Sequence, residues 1–101
     1  MKLISERPAE ELGVTVDAAR SDADAVDAAL AANGDIAAFE RLYRRHSPRL
    51  FILARRFLGT DLAEDALQDI FVLAWDRLIQ FRGESSFGSW LHRLAINVVI
   101  R

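Results

Sequence analysis

The sequence contains no cysteine, which excludes disulfides and thiolate metal sites and suits a reducing compartment. Its only histidines, His46 and His92, are too few for an imidazole metal set. Neither stands in a carboxylate pattern that would support acid–base catalysis. No nucleophile arrangement and no glycine-rich phosphate cradle occurs; Arg82-Gly83 is not such a motif. No run reaches the length of a membrane span, and the start Met1-Lys2-Leu3-Ile4-Ser5-Glu6-Arg7-Pro8 leads into no signal-peptide core. The expected location is therefore the cytoplasm, with no membrane, cofactor, metal or small-molecule ligand. These absences leave zinc and acid–base chemistry with little support.

What is present is helical. The chain has 101 residues, 51% of them apolar, which is enough for one modest core and far too apolar for disorder. Alanine, leucine and arginine dominate, and strand-like alternation is absent, so the expected fold is all-α, a compact domain of three or four helices. Charge is segregated. Residues 1–34 hold three basic and seven acidic side chains, and residues 35–60 six and two. Residues 61–79 hold one and five, and residues 80–101 three and one. Such division lets one small domain meet a basic partner on one face and a polyanion on another.

Residues 1–20 read as a poorly ordered arm, because Pro8 and Gly13 interrupt helical spacing and the apolar residues keep no period. A first helix is expected over residues 22–32, capped by Ser21 or Asp22, with a thin apolar face of alanines, Val26 and Leu30. Asn33-Gly34 ends it and Asp35 caps a second helix, residues 35–58. Phe39, Leu42, Tyr43, His46, Leu50, Leu53, Ala54 and Phe57 form its inward side, with arginines between them. Pro48 falls inside it, but the apolar spacing keeps its phase, which favours one kinked rod over a break at Ser47.

The chain is organised around residues 61–79. Ala63, Ala66, Leu67, Ile70, Phe71, Ala74 and Leu78 recur at threes and fours, the apolar face of a third helix. Asp61 and Glu64 have the spacing of a capping box. The other face holds Asp61, Glu64, Asp65, Gln68, Asp69 and Val72, with no basic residue before Arg77. Such a stripe is either a solvated surface or a docking face. Next comes a loop, residues 81–87, with an aromatic at each end. Ser85 or Ser86 caps a last helix, residues 86–101, whose inward residues are Phe87, Trp90, Leu91, Leu94, Ala95 and Val98. Arg93, Asn97 and Arg101 form a polar line at i, i+4, i+8. The expected core is Phe39, Tyr43, Leu50, Leu67, Phe71, Trp75, Trp90 and Leu94.

Three separated signatures carry a resemblance. They are Gly34-Asp35…Ala38-Phe39…Leu42-Tyr43…Pro48-Arg49-Leu50, then Ala63-Glu64-Asp65…Gln68-Asp69…Phe71…Trp75, then Phe81 to Phe87 with Trp90-Leu91 and Ile96-Asn97. Together, over residues 25–101, they resemble region 2 of the extracytoplasmic-function sigma factors, alternative sigma-70-type initiation subunits of bacterial RNA polymerase. The resemblance implies a helical domain over residues 21–101, cut inside its last helix. The family's C-terminal region 4, a helix-turn-helix domain that reads the −35 element, is absent from this sequence. It also implies no catalysis.

By the same resemblance, Asp65, Gln68, Asp69 and Val72, with Asp61 and Glu64 at the edge, would dock on the clamp coiled coil of the polymerase beta-prime subunit. Arg82, Gly83, Glu84, Ser85, Ser86 and Phe87 would form the loop that captures a base flipped from the non-template strand of the promoter −10 element. His92, Arg93, Ile96, Asn97 and Ile100 would contact the upstream part of that element. Physical chemistry agrees at several points: carboxylates steer a basic coiled coil, Val72 offers a small apolar anchor, and amides and hydroxyls suit a flipped base. Arg82 and Arg93 are placed for phosphates. Phe81, Phe87 and Trp90 are either core or an aromatic wall for the base. Arg41, Arg44 and Arg45 read as solvated, Arg55 and Arg56 as further candidates for DNA backbone, and Asn97 as a DNA contact or a cap. Family members are often held by an anti-sigma factor, which makes one a candidate partner. The alternative is a helical protein–protein adaptor that never touches DNA.

Overall fold

Four α-helices carry the chain: α1 (Pro8–Ala32), α2 (Ile36–Leu58), α3 (Thr60–Arg77) and α4 (Phe87–Ile100), with a 3-10 turn at Leu78–Gln80. The computed structural model describes the backbone of residues 8–100 and the side chains of residues 20–100. α2, α3 and α4 pack against one another in all three pairs, and α1 packs against α2 and α4. The expected all-α class holds.

α1 differs most from expectation. It begins at Pro8 rather than near Asp22. Proline at the first helical position lacks only an amide that would go unbonded there, and its fixed φ suits the helix. Gly13 lies within the helix; a mid-helix glycine costs only about 1 kcal/mol relative to alanine. Residues 1–7 of the expected arm lie outside the described residues. The helix closes where expected: Gly34 takes φ 96° and its amide donates to the Ala31 carbonyl at 2.9 Å. Its buried face, however, is not the expected one. Val26 and Leu30 are exposed, whereas Asp24, Asp27, Ala28 and Ala31 are buried against the other helices. Two carboxylates face inward because α2 supplies their partners.

α2 is a single helix containing Pro48, and the Asp35 carboxylate caps it by accepting from the Ala38 amide at 3.1 Å. Ala38, Leu42, Leu50 and Ala54 are buried along it. Phe57 and Tyr43, expected inward, are exposed at 53% and 41%. All seven apolar-face residues are buried as their spacing predicts, Ala63 through Ala74 in α3 and Leu78 in the 3-10 turn that follows it. Its start differs: Gly59, at φ 84°, precedes Thr60 with no side-chain cap, so the Asp61–Glu64 capping box does not form. Asp61 instead sits inside the first turn, where its charge complements the positive end of the helix dipole.

Leu42, Ile70, Leu78 and Leu91 are the largest side chains sealed from solvent, one from each of α2, α3, the 3-10 turn and α4. Leu50, Leu67, Phe71 and Leu94 join them as expected, and Phe39 and Trp90 pack on the margin. Trp75 is a correction: it remains 37% exposed on the α2–α3 surface. Val99, not assigned by the spacing, is buried with Ala54, Ala63 and Ala66 in a second small cluster.

Candidate functional site

The outward face of α3 is built as its sequence indicates. Asp61, Glu64, Asp65, Gln68, Asp69 and Val72 are all exposed. Among the described residues none of these carboxylates forms an ion pair. The structure adds what spacing did not show: Phe39, Tyr43, Gln68, Phe71, Val72, Trp75 and Asp76 line a groove of about 360 Å³. The seam beneath it is aromatic. Phe39 meets Trp75 edge-on at 5.0 Å and Phe71 at 6.1 Å, and Tyr43 meets Phe71 at 4.7 Å. Edge-to-face pairs of this kind hold rings in fixed orientation. Tyr43 and Trp75 were expected in the core; they are groove walls, 41% and 37% exposed, each with an outer edge that no helix covers. An apolar slot edged by carboxylates fits an apolar knob on a basic helix.

The second surface is the connection between the 3-10 turn and α4. Arg82, Gly83, Glu84 and Ser86 are exposed and Ser85 is half-buried. Gly83 holds φ 76°, a left-handed geometry that a side chain would strain. Ser86 is the cap, its Oγ accepting from the Ser89 amide at 3.1 Å. Ser85 Oγ accepts from Arg93 Nη2 at 3.2 Å, so Arg93 props the loop as well as facing solvent. Phe87 is a correction to the candidate contact set: it is buried at 3%, with Phe81 at 6.0 Å, Trp90 at 5.6 Å and the His46 ring at 5.3 Å. It anchors the loop from below. Phe81 and Trp90, 5.2 Å apart and half-buried, are the aromatics that retain an outer edge. Along α4, His92, Arg93, Asn97 and Ile100 are exposed and Ile96 is half-buried. Arg93 and Asn97 share a cavity of about 260 Å³ with Arg77, Gln80, Trp90 and Leu94. Arg101, the third member of the polar line, lies outside the described residues.

Behind these surfaces lies a network missed by reading each helix alone. Asp27 accepts from Arg41 Nε and Nη2 at 3.1 and 2.9 Å, and from Arg45 Nη2 at 2.6 Å. Asp24 accepts from Arg45 Nε at 2.9 Å and lies 2.8 Å from His46 Nε2. Burial pushes the Asp27 carboxyl up, but the hydrogen bonds and charges of Arg41 and Arg45 outweigh it and hold its pKa below the ordinary aspartate value. The Asp27 hydrogen bond raises Arg41; for Arg45, burial opposes and the bonds from Asp27 and Asp24 prevail. Arg41 and Arg45 thus bond the buried aspartates of α1, although Arg41 keeps about half of its side chain in solvent, and His46 does have a carboxylate neighbour. The signal was available as Asp24/Asp27 at i, i+3 facing Arg41/Arg45 at i, i+4 across a tight turn.

Comparison with known proteins accords with this architecture. The sigma-70 region 2 family model matches residues 42–101. The ECF RNA polymerase sigma factor SigM of Mycobacterium tuberculosis is 42% identical over 82 residues, covering 80% of this chain and 41% of SigM. The RNA polymerase sigma factor CnrH of Cupriavidus metallidurans is 42% identical over 78 residues, covering 75% of this chain and 40% of CnrH. The solved structure of CnrH in complex with the cytosolic domain of CnrY matches with TM-score 0.73 at 38% identity, covering 77% of this chain and 51% of that one. An engineered region 2 of sigmaE in complex with GTAAAA matches with TM-score 0.72 at 28% identity, covering 76% and 81%. The chain belongs to the sigma-70 region 2 family, in its extracytoplasmic-function group. It spans about two fifths of the length of these curated relatives. Among the described residues no helix is long and apolar enough to cross a membrane.

Proposed function

We propose that this domain docks on the clamp coiled coil of the RNA polymerase beta-prime subunit through α3 and captures the non-template strand of the promoter −10 element through the 82–86 loop and α4. The observation that carries the reading is the groove within the acidic face. Val72 and Trp75 stand beside carboxylates that have no ion-pair partner among the described residues, an arrangement unfavourable for a merely solvated helix and suited to a basic partner with an apolar knob. The loop supports the second half. Its backbone is fixed by Gly83, the Ser86 cap and the buried Phe87, while its polar groups stay accessible. The relative in complex with GTAAAA supports strand binding by a domain of this fold, and CnrH in complex with the cytosolic domain of CnrY supports a second protein partner, for which an anti-sigma factor is the candidate.

The mechanism is recruitment followed by strand capture. Polymerase holds the domain over the promoter, and bases leaving the duplex regain stacking and hydrogen bonds on the loop and α4. Arg82 contributes phosphate contacts that position the strand, while Glu84, Ser85 and Ser86 discriminate a base. The test is open-complex formation by polymerase carrying a full-length version of the protein, on promoters randomised across the −10 element. Replacing Glu84, Ser85 and Ser86 with alanine flattens preference at one position and leaves the others. An unchanged preference everywhere refutes base capture by the loop. Polymerase binding with no strand-dependent gain at all favours the adaptor reading.

A further inference from the structure

A cleft of about 470 Å³ opens where α1, α2 and the start of α4 converge, and the docking and loop surfaces do not account for it. Arg20, Arg49, His92 and Arg93 line it, together with the Ser86 and Ser89 hydroxyls. Its one carboxylate, Asp24, is committed: one oxygen to Arg45 and the other to His46. Arg49 is exposed and, among the described residues, pairs with no carboxylate. The cleft therefore presents cations from three helices with its only acid already neutralised. It also adjoins the loop, since Ser86 belongs to both and Arg93 bonds Ser85.

We propose that this cleft seats a backbone phosphate of the single strand whose base the 82–86 loop holds, with Arg49 as its principal cation and His92 and Arg93 beside it. The inference rests on the strand-capture reading above and extends the contact surface from α4 across to α2. A strand entering the loop must carry a phosphate past one flank of it, and the Ser86–Ser89 side is the flank where α2 contributes the Arg49 guanidinium. Arginine suits the task because its fork meets two phosphate oxygens at once.

The test uses the chain and a fluorescent single strand selected by it from a randomised pool. Salt titration of Arg49→Gln lowers the slope of log K against log salt by about 0.7, as expected when one phosphate of a single strand is no longer neutralised. Arg44→Gln, an exposed arginine of α2 outside the cleft, leaves the slope unchanged. Strands carrying one neutral methylphosphonate linkage at a time identify the seat: one linkage weakens wild-type binding and has no effect on Arg49→Gln. Far-UV circular dichroism checks that both variants fold. If the two variants reduce the slope equally, the effect is bulk charge and the seat is overturned. Binding with normal base preference but no linkage whose effect depends on Arg49 also overturns it, leaving loop capture intact. A cleft that binds inorganic phosphate through Arg49 yet ignores every methylphosphonate overturns the strand assignment. Failure of the wild-type chain to select any strand overturns the seat, and loop capture is then decided by the open-complex test above.

Discussion

Asp27→Ala tests the buried network most directly. The Asp27 side chain is only 7% exposed and accepts three charge-assisted hydrogen bonds, two from Arg41 and one from Arg45. Removing one partner of a buried ion pair costs about 3–5 kcal/mol when the other stays dry. Here the arginines are not dry: Arg41 is 48% and Arg45 25% exposed, and Arg45 keeps Asp24. Water therefore rescues much of Arg41, which reduces the expected loss to about 2–3 kcal/mol. The measurement is urea denaturation at neutral pH, read as a midpoint shift at constant slope. The companion Asp27→Asn separates charge from shape. Since the folded pKa of Asp27 lies below its unfolded value, its charge stabilises the fold above that unfolded value, near 3.9, and the contribution disappears as pH falls through the folded pKa. Wild type and Asp27→Asn should thus differ at pH 7 and converge under acid. A loss below about 0.5 kcal/mol for Asp27→Ala, within the range of ordinary surface changes, would refute the network as a joint between α1 and α2.

Trp75→Ala should cost about 1–3 kcal/mol, less than a full core truncation because the ring is partly exposed, while weakening polymerase docking through loss of a groove wall; denaturation and a binding titration read the two effects separately. Asp65→Arg and Gln68→Ala should weaken binding to the beta-prime coiled coil with unchanged circular dichroism, and Val72→Asp should weaken it more than either; wild-type affinity in all three would place docking elsewhere. Leu91→Ala, at a site 1% exposed, should cost about 2–5 kcal/mol in the same denaturation assay. Arg82→Ala should slow open-complex formation on every promoter and reduce its salt dependence without changing base preference, the pattern of a phosphate contact.

The helices α2, α3 and α4 were legible because each satisfies its core alone: one apolar stripe, one phase, one buried face. Ala63 through Leu78 show this most clearly, since every predicted inward position is buried. Where expectation failed, a second helix decided the outcome. Tyr43 and Trp75 have the size and spacing of core residues, but whether a ring is covered depends on what the neighbouring helices place over it, which neither sequence segment encodes alone. Phe87 was an open choice between wall and core, and the rings of Phe81, Trp90 and His46 around it make it core. The polar loop was visible as a loop, yet its fixation by Arg93 and Ser86 required the turn into α4 to be in place.

Charge gives the strongest case of that dependence on neighbours. The acidic first third and the basic second third of the chain read as two surfaces offered to partners, but part of each sum is consumed inside the molecule. Asp24 and Asp27 are buried against Arg41, Arg45 and His46. What remains for partners is narrower and better defined. On α3 it is a set of carboxylates with no ion-pair partner among the described residues; on α2 it includes Arg49, beside the capture loop. Because His46 joins Asp24 to Phe87, the internal pairing also touches the base of that loop. The same ion pairs that turn two aspartates of α1 inward therefore free the cleft of negative charge, and a variant that released Asp24 would return a carboxylate to it. Strand binding by the chain should then fall even if the loop and α4 kept every atom of their own.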